Sequence, residues 1–208
     1  MKITIEWTVE ELKELWITDN ATTVTNCYTN TETVVNTNDW ITTEYGWIVF
    51  RYQWKEWRLS KENEKKSDWD EYFTYDEAIK HCKKFQDRHL PSIEERQELL
   101  KARCELKGYK MDWNAVYSCD NEADNIGKEF TEDFYLPFAG YRDYSNACVS
   151  GQGSYGLYWS SSPYGSDYPT YARILSLNSS GVGAYDFGYR ANARSVRCFK
   201  SSTVPKTK

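Results

Sequence analysis

The chain has 208 residues (24.5 kDa), a net charge of −5 and a pI near 5.2, a balance that argues against nucleic acid or an anionic membrane as its main partner. With 40% hydrophobic and 16% aromatic residues, it can close one sizeable core, or one core with a small companion module. No apolar run reaches the length of a membrane span, and the opening MKITIEWTVEELKELW carries acidic residues where a secretory signal needs an apolar stretch.

In chain order, residues 1–68 read as a separate N-terminal module. Thr8-x-x-Glu11 is a capping box, and Val9, Leu12, Leu15 and Trp16 fall on one helical stripe. The Thr/Asn-rich run Thr18–Thr43 suits strands or an extended arm. Tyr45–Leu59 alternates apolar and polar residues with the period of a strand or hairpin. The charge run Ser60–Asp68 reads as a solvated linker or turn. Two uses of this module stay open: it extends the sheet of the next domain, or it docks onto a virion component, a partner protein or a second copy.

Residues 69–200 read as the main domain, with 201–208 as a tail. Thr74-x-x-Glu77 caps a helix that buries Ala78, Cys82 and Phe85, and Ser92-x-x-Glu95 caps a second that buries Ile93, Leu99 and Leu100. From Lys110 onward the chain is loop-rich. The core strands expected there are Leu136–Phe138, Leu157–Trp159 and Val196–Cys198. Two helices followed by short strands predict an α+β fold.

Gly156–Phe199 has the composition of an antibody binding surface, in which Tyr supplies contact area and Ser, Gly and Asn adapt their hydrogen bonds. Lys, Glu, Gln, Met and Trp make up 49 of the 208 residues, yet Ser160–Phe199 contains none of them. These five are the residues that an AAC or AAT codon cannot reach by changes at its two adenines alone. A segment rewritten by adenine-directed mutagenesis would have this composition; so would a polar, loop-rich β region that avoids long charged side chains.

The words LPFAGYRD (Leu136–Asp143), GLYWSSSP (Gly156–Pro163) and RSVRC (Arg194–Cys198) resemble the scaffold of the C-terminal variable proteins of diversity-generating retroelements. The resemblance spans roughly Trp69–Lys200. It implies a C-type lectin fold of the formylglycine-generating-enzyme type, with two helices, short antiparallel strands and long loops, beside the small N-terminal module. It also implies a ligand-binding surface for a cell-surface protein or glycan receptor, displayed on a phage virion or a cell surface, with no cofactor and no membrane insertion. In that fold a first-helix cysteine often lies against one on the last strand, and Cys82 and Cys198 occupy those places. Undiversified bacterial surface or adhesin domains carry similar words and are the alternative.

On that reading the variable-looking surface covers residues 160–194. One loop would hold Tyr164, Gly165, Ser166, Asp167, Tyr168, Thr170 and Tyr171; a second, Gly183–Asn192, would bring Gly183, Tyr185, Asp186, Phe187, Tyr189 and Asn192 beside it. Between them the pleat of Ala172–Leu177 puts Leu175 and Leu177 in the core, with Arg173, Ile174 and Ser176 assigned to the ligand surface. For Ile174 a small satellite core is an equal reading. Arg173 and Arg190 suit ligand carboxylates or ring stacking, or are ordinary surface arginines.

Catalytic and metal chemistry finds little support. The two histidines, His81 and His89, lie in or beside the helices, and the hydrolase, P-loop and dinucleotide motifs are absent. The six cysteines are widely spaced, which is wrong for zinc and sparse for a disulfide scaffold. Where calcium-dependent lectins carry a W-N-D word, this chain has Asp112-Trp113-Asn114, without their E-P-N or Q-P-D triplet. An oxidase of the formylglycine-generating kind would need two reactive cysteines together in the C-terminal half, which leaves Cys148 and Cys198 with nothing nearby to activate them.

Overall fold

Two capping boxes fix where the first helices of the main domain begin. In the computed structural model, which describes residues 22–26, 31–35, 41–53, 55–111, 119–120 and 126–201, α1 (Tyr75–Cys82) starts after Thr74, whose N–H donates to Glu77 at 2.9 Å. Helix α2 (Ile93–Leu106) starts after Ser92, whose side chain accepts from the Glu95 N–H while Glu95 reaches back to the Ser92 N–H at 2.7 Å. Ala78 and Cys82 are buried, as are Ile93, Leu99 and Leu100. Helix α1 stops at Cys82, so Phe85 lies beyond it, half-buried, with its ring against His81. The Thr8–Glu11 capping box lies outside the described residues.

A third helix, α3 (Ile126–Phe134), occupies what the sequence reading took for loop. Its apolar positions recur one turn apart, with Phe130 and Phe134 both buried. The Gly, Asn and Asp residues that signalled loop have a different use here. A Cβ on Gly127 would stand 1.7 Å from the Asn178 carbonyl oxygen, so the residue must be glycine for α3 to dock on the turn at Asn178–Gly181. The Lys128 N–H then donates to the Ser179 carbonyl at 3.1 Å, satisfying one of the helix's otherwise unpaired N-terminal donors.

The described strands, all antiparallel, form five sheets. The hairpin β1 (Thr22–Asn26) and β2 (Thr31–Val35) stands alone, as does the pair β7 (Lys110–Met111) and β8 (Cys119–Asp120). The largest sheet joins β3 (Ile41–Glu44), β4 (Trp47–Tyr52) and β5 (Lys55–Ser60) to β15 (Phe199–Lys200) and β6 (Arg88–His89), in the order β3-β4-β5-β15-β6. A second orders β9 (Tyr141–Arg142) between β10 (Val149–Ser150) and β14 (Ala193–Arg194). The third is β11 (Gly156–Pro163), β12 (Tyr171–Leu177) and β13 (Val182–Tyr189).

Of the two uses left open for the N-terminal stretch, residues 41–60 take the first: they extend the main sheet rather than forming a separate module, and Ile48, Phe50, Trp57 and Leu59 share one core with α2, α3 and the β11–β13 sheet. The charge run Ser60–Asp68 is exposed at Lys61, Glu62 and Lys65–Asp68, as a solvated linker or turn would be, but Ser60 and Asn63 are buried. Arg197, buried, donates to the Ser60 carbonyl (2.7 Å), the Lys61 carbonyl (2.6 Å) and Asn63 Oδ1 (3.1 Å), and also to the Tyr135 carbonyl. A buried guanidinium needs such acceptors, and here the charge run supplies all but one of them, through two carbonyls and the Asn63 side chain. Leu136–Phe138 and Val196–Cys198 are not strands, although Leu136, Val196 and Cys198 are buried.

A second cluster lies across the β11–β13 sheet from the first. It packs Phe73, Ala78, Cys82, Leu90, Trp159, Ala172, Ile174, Val196 and Cys198. The Cys82 and Cys198 sulfurs stand 3.0 Å apart, the neighbourhood expected of them. Cys104, on α2, is disulfide-bonded, while Cys82, Cys148 and Cys198 are free. Trp159 is the centre of this cluster, fully buried. Its indole N–H donates to the Phe73 carbonyl at 2.8 Å, its carbonyl accepts from Arg96 at 2.7 Å, and the Arg194 guanidinium stacks 4.5 Å from its ring. Burial lowers the pKa of both arginines to about 10, which leaves them charged at neutral pH.

Candidate ligand-binding surface

Strand pairing decides which residues of the Tyr-rich stretch share a face. Tyr171 lies opposite Tyr189 and Arg173 opposite Phe187 across β12 and β13, so their side chains project from the same side of the sheet. The intervening Ala172 and Ile174 point to the other side, into the Trp159 cluster. The 164–170 loop then folds back over the exposed side. It is held by the Tyr164 N–H to the Tyr171 carbonyl (3.3 Å) and by the Arg190 N–H to the Thr170 carbonyl (2.8 Å).

The result is a continuous row of rings. Tyr144 packs on Tyr189 at 5.0 Å, Tyr189 on Tyr171 at 5.7 Å, Tyr171 on Phe187 at 5.7 Å, Phe187 on Tyr164 at 4.4 Å and Tyr164 on Tyr168 at 5.5 Å. These spacings are those of edge-to-face and tilted aromatic pairs, so the rings order one another while leaving surface free. Tyr144, Tyr168, Tyr185 and Phe187 are 63%, 56%, 51% and 45% exposed, far above the buried rings of the core.

Arg173 sits inside this row. Its guanidinium lies 3.6 Å from the Tyr185 ring centroid and 4.5 Å from that of Tyr164, and Nη1 donates to the Tyr185 carbonyl at 2.8 Å. No carboxylate pairs with it among the described residues. Arg190 differs: it donates to Asp76 and stacks on Tyr75 at 4.4 Å. Burial raises the Tyr75 pKa, with Arg190 opposing and Asp76 adding to the shift.

The residues singled out from sequence divide accordingly. Tyr164, Gly165, Ser166, Asp167, Tyr168, Thr170, Tyr171, Arg173, Tyr185, Phe187 and Tyr189 come together on this face or its loop. Asp186 lies opposite Ile174 in register and accepts from the Phe187 N–H at 2.7 Å. Asn192 is half-buried, accepting from the Tyr144 N–H at 3.1 Å. Three assignments are corrected. Ile174, Ser176 and Gly183 are buried, because the β11–β13 sheet is covered on both sides along its inner half and only its outer end is open. The Gly183–Asn192 segment is also mostly strand, running as β13 to Tyr189.

Sequence reasoning missed Tyr144. It lies in the β9–β10 connection, outside the stretch chosen for its composition, yet Arg142–Asn146 (RDYSN) has the same residue types. Cys148 and Cys198 are both free, Cys148 exposed and Cys198 buried with its sulfur against that of Cys82. That contact, with burial, pushes the Cys198 thiol pKa up, the reverse of what a reactive cysteine needs. No cluster of metal-ligating side chains occurs among the described residues, and none of the described helices is long and apolar enough to cross a membrane.

Comparison with known proteins adds one finding. A family model described as a domain of unknown function, DUF8237, matches residues 120–199, the part of the chain that contains α3, β9 to β14 and the whole row of rings. No curated protein and no solved structure matches the chain.

Proposed function

We propose that this is a ligand-binding protein that presents the ring-lined end of its β11–β13 sheet to a receptor on a cell surface, on a C-type lectin-type scaffold diversified by adenine-directed mutagenesis. The observation that carries the reading is the contrast within one strand pair. Tyr171, Arg173, Tyr185, Phe187 and Tyr189 are open to solvent beside a loop of like composition, over a sheet whose other face is sealed around Trp159. Exposed positions on a rigid frame accept substitution at little cost in stability. The lectin-type scaffold is supported by the Cys82–Cys198 neighbourhood and by the burial of Tyr158–Ser160 and Arg194–Cys198 within the scaffold words. A phage or prophage receptor binder, or an exported adhesin, is the setting this chemistry suits. High pKa and burial at Cys198 weigh against an oxidase.

Two experiments test the reading. Single alanine variants at Tyr164, Tyr168, Tyr185 and Tyr189 should leave thermal unfolding nearly unchanged and abolish or alter adhesion to host cells. Losses of several kcal/mol in stability at most of these sites would overturn the assignment of the surface. Sequencing the locus should reveal a near-identical template copy beside a reverse transcriptase, differing from this gene only at adenines. An undiversified surface domain has no such copy.

A further inference from the structure

We infer that the Arg173 clamp is a subsite for an anionic sugar residue, carboxylated or sulfated, so that the surface selects acidic over neutral glycans; the inference rests on the surface reading above. Four observations converge on it. First, Arg173 is the cation at the middle of the row of rings, and no carboxylate neutralises it among the described residues. One of its donors is fixed on the Tyr185 carbonyl and its plane is held against Tyr185 and Tyr164. The guanidinium is thus oriented in advance, with donors left for a bidentate oxyanion.

Second, the phenols of the row have no protein hydrogen-bond partner among the described residues. The core tyrosines Tyr72, Tyr75 and Tyr158 each donate to a backbone carbonyl, of Ala139, Ser161 and Pro137, at 2.6–2.7 Å. The hydroxyls of Tyr144, Tyr164, Tyr168, Tyr171, Tyr185 and Tyr189 have no such partner among the described residues. A set of free phenol donors and acceptors between ring faces matches a ligand that alternates hydroxyls with C–H faces, which is a saccharide. Third, the surface is a poor template for an extended peptide. Strand addition needs free main-chain groups, yet side chains already hold the Tyr185 carbonyl (Arg173), the Tyr189 carbonyl (Arg194, 3.1 Å) and the Phe187 N–H (Asp186, 2.7 Å) of β13. Fourth, no aliphatic side chain is part of the row, so an amphipathic helix finds no apolar groove. An anionic peptide would have to bind through side chains alone.

The test uses the full chain on an immobilised glycan panel with neutral, carboxylated (sialyl and uronyl) and sulfated members, plus poly-glutamate peptides as a separate arm. Binding should be at least tenfold tighter to one acidic sugar class than to its neutral parent, and should weaken between 50 and about 300 mM salt, since the contact is a partly exposed ion pair. Whether carboxylated or sulfated members bind distinguishes the source of the anion. Arg173→Gln should erase the preference, and Arg173→Lys, which keeps charge but not the fork, should restore it only in part. Arg190→Gln, whose charge already meets Asp76, should retain it. Thermal melts of each variant exclude misfolding as the cause. Equal binding of neutral and acidic sugars, or binding of acidic peptides alone, overturns the subsite while leaving the surface reading intact. Absence of binding to every acidic sugar also overturns the subsite, and loss of host-cell adhesion in Tyr168→Ala then tests the surface by itself.

Discussion

The β12–β13 hairpin has two ends drawn from the same adenine-reachable set of residues and put to opposite uses. At the turn end, Leu175, Leu177, Val182 and Ala184 are buried, and Asn178 Oδ1 accepts from the N–H groups of Ser180 and Gly181, both at 2.9 Å. The turn is further pinned against α3 by the close approach at Gly127. At the open end, Tyr171, Arg173, Tyr185, Phe187 and Tyr189 meet one another and solvent. Within twenty residues the chain passes from scaffold to surface without a change in its apparent alphabet. Leu, Val, Ile and Ala are as reachable from an adenine-rich codon as Tyr and Asp. Composition therefore marks a region open to rewriting, and packing decides which of its positions are free.

The comparison can be tested from the scaffold outward. Trp159→Ala removes the ring at the centre of the second cluster and should cost about 3–5 kcal/mol of unfolding free energy, measured by urea titration. A loss under about 1 kcal/mol would mean that the sheet's covered face contributes little. Ile174→Ala should cost about 2–5 kcal/mol, although its neighbour Arg173 faces the ligand side; a neutral result would move Ile174 back to the surface. Gly127→Ala, which drives a methyl group against the Asn178 carbonyl, should cost about 1–3 kcal/mol and loosen the turn end alone. Its signature would be faster amide exchange at residues 178–182 with the open end unaffected. At the other extreme, Tyr168→Ala and Tyr185→Ala should change stability by about 0.5 kcal/mol or less. Equal costs at both ends would erase the distinction.

Much of the scaffold was legible in the sequence because its signals are local. The capping boxes at Thr74 and Ser92 need only four residues each, and both helices start where those boxes put them. The burial of Trp159 was legible in a short apolar word, whereas the meeting of Cys82 with Cys198 was an expectation of the resemblance to the lectin-type scaffold. Two kinds of feature escaped. Helix α3 was masked by Gly127, a residue that reads as a breaker locally but is demanded by a contact fifty residues away. The phase of β12 was read correctly, but the exposure of Ser176, and one of the two readings of Ile174, failed because alternation identifies two faces without saying that both are covered. The surface was legible as a composition and as a set of tyrosines. Its outline, including Tyr144 and the clamp on Arg173, depends on strand register and on a neighbouring loop, neither of which a single segment encodes.

The last structural residues of the chain have a consequence for its synthesis. Strand β15 lies between β5 and β6, Arg197 ties the 60–63 backbone, and Val196, Cys198 and Phe199 are divided between the two core clusters. Neither cluster can close until residue 199 has left the ribosome, and these contacts span more than a hundred residues of sequence, which makes their formation slow. The apolar side chains made earlier, Ile48 and Phe50 on β4 and Leu99 and Leu100 on α2 among them, must therefore stay uncovered while the rest of the chain is synthesised. The tyrosine-rich segment, by contrast, emerges only just ahead of the residues that close the frame. Sequence change at the surface thus reaches the folding chain last, when little of its route to the folded state remains to be diverted.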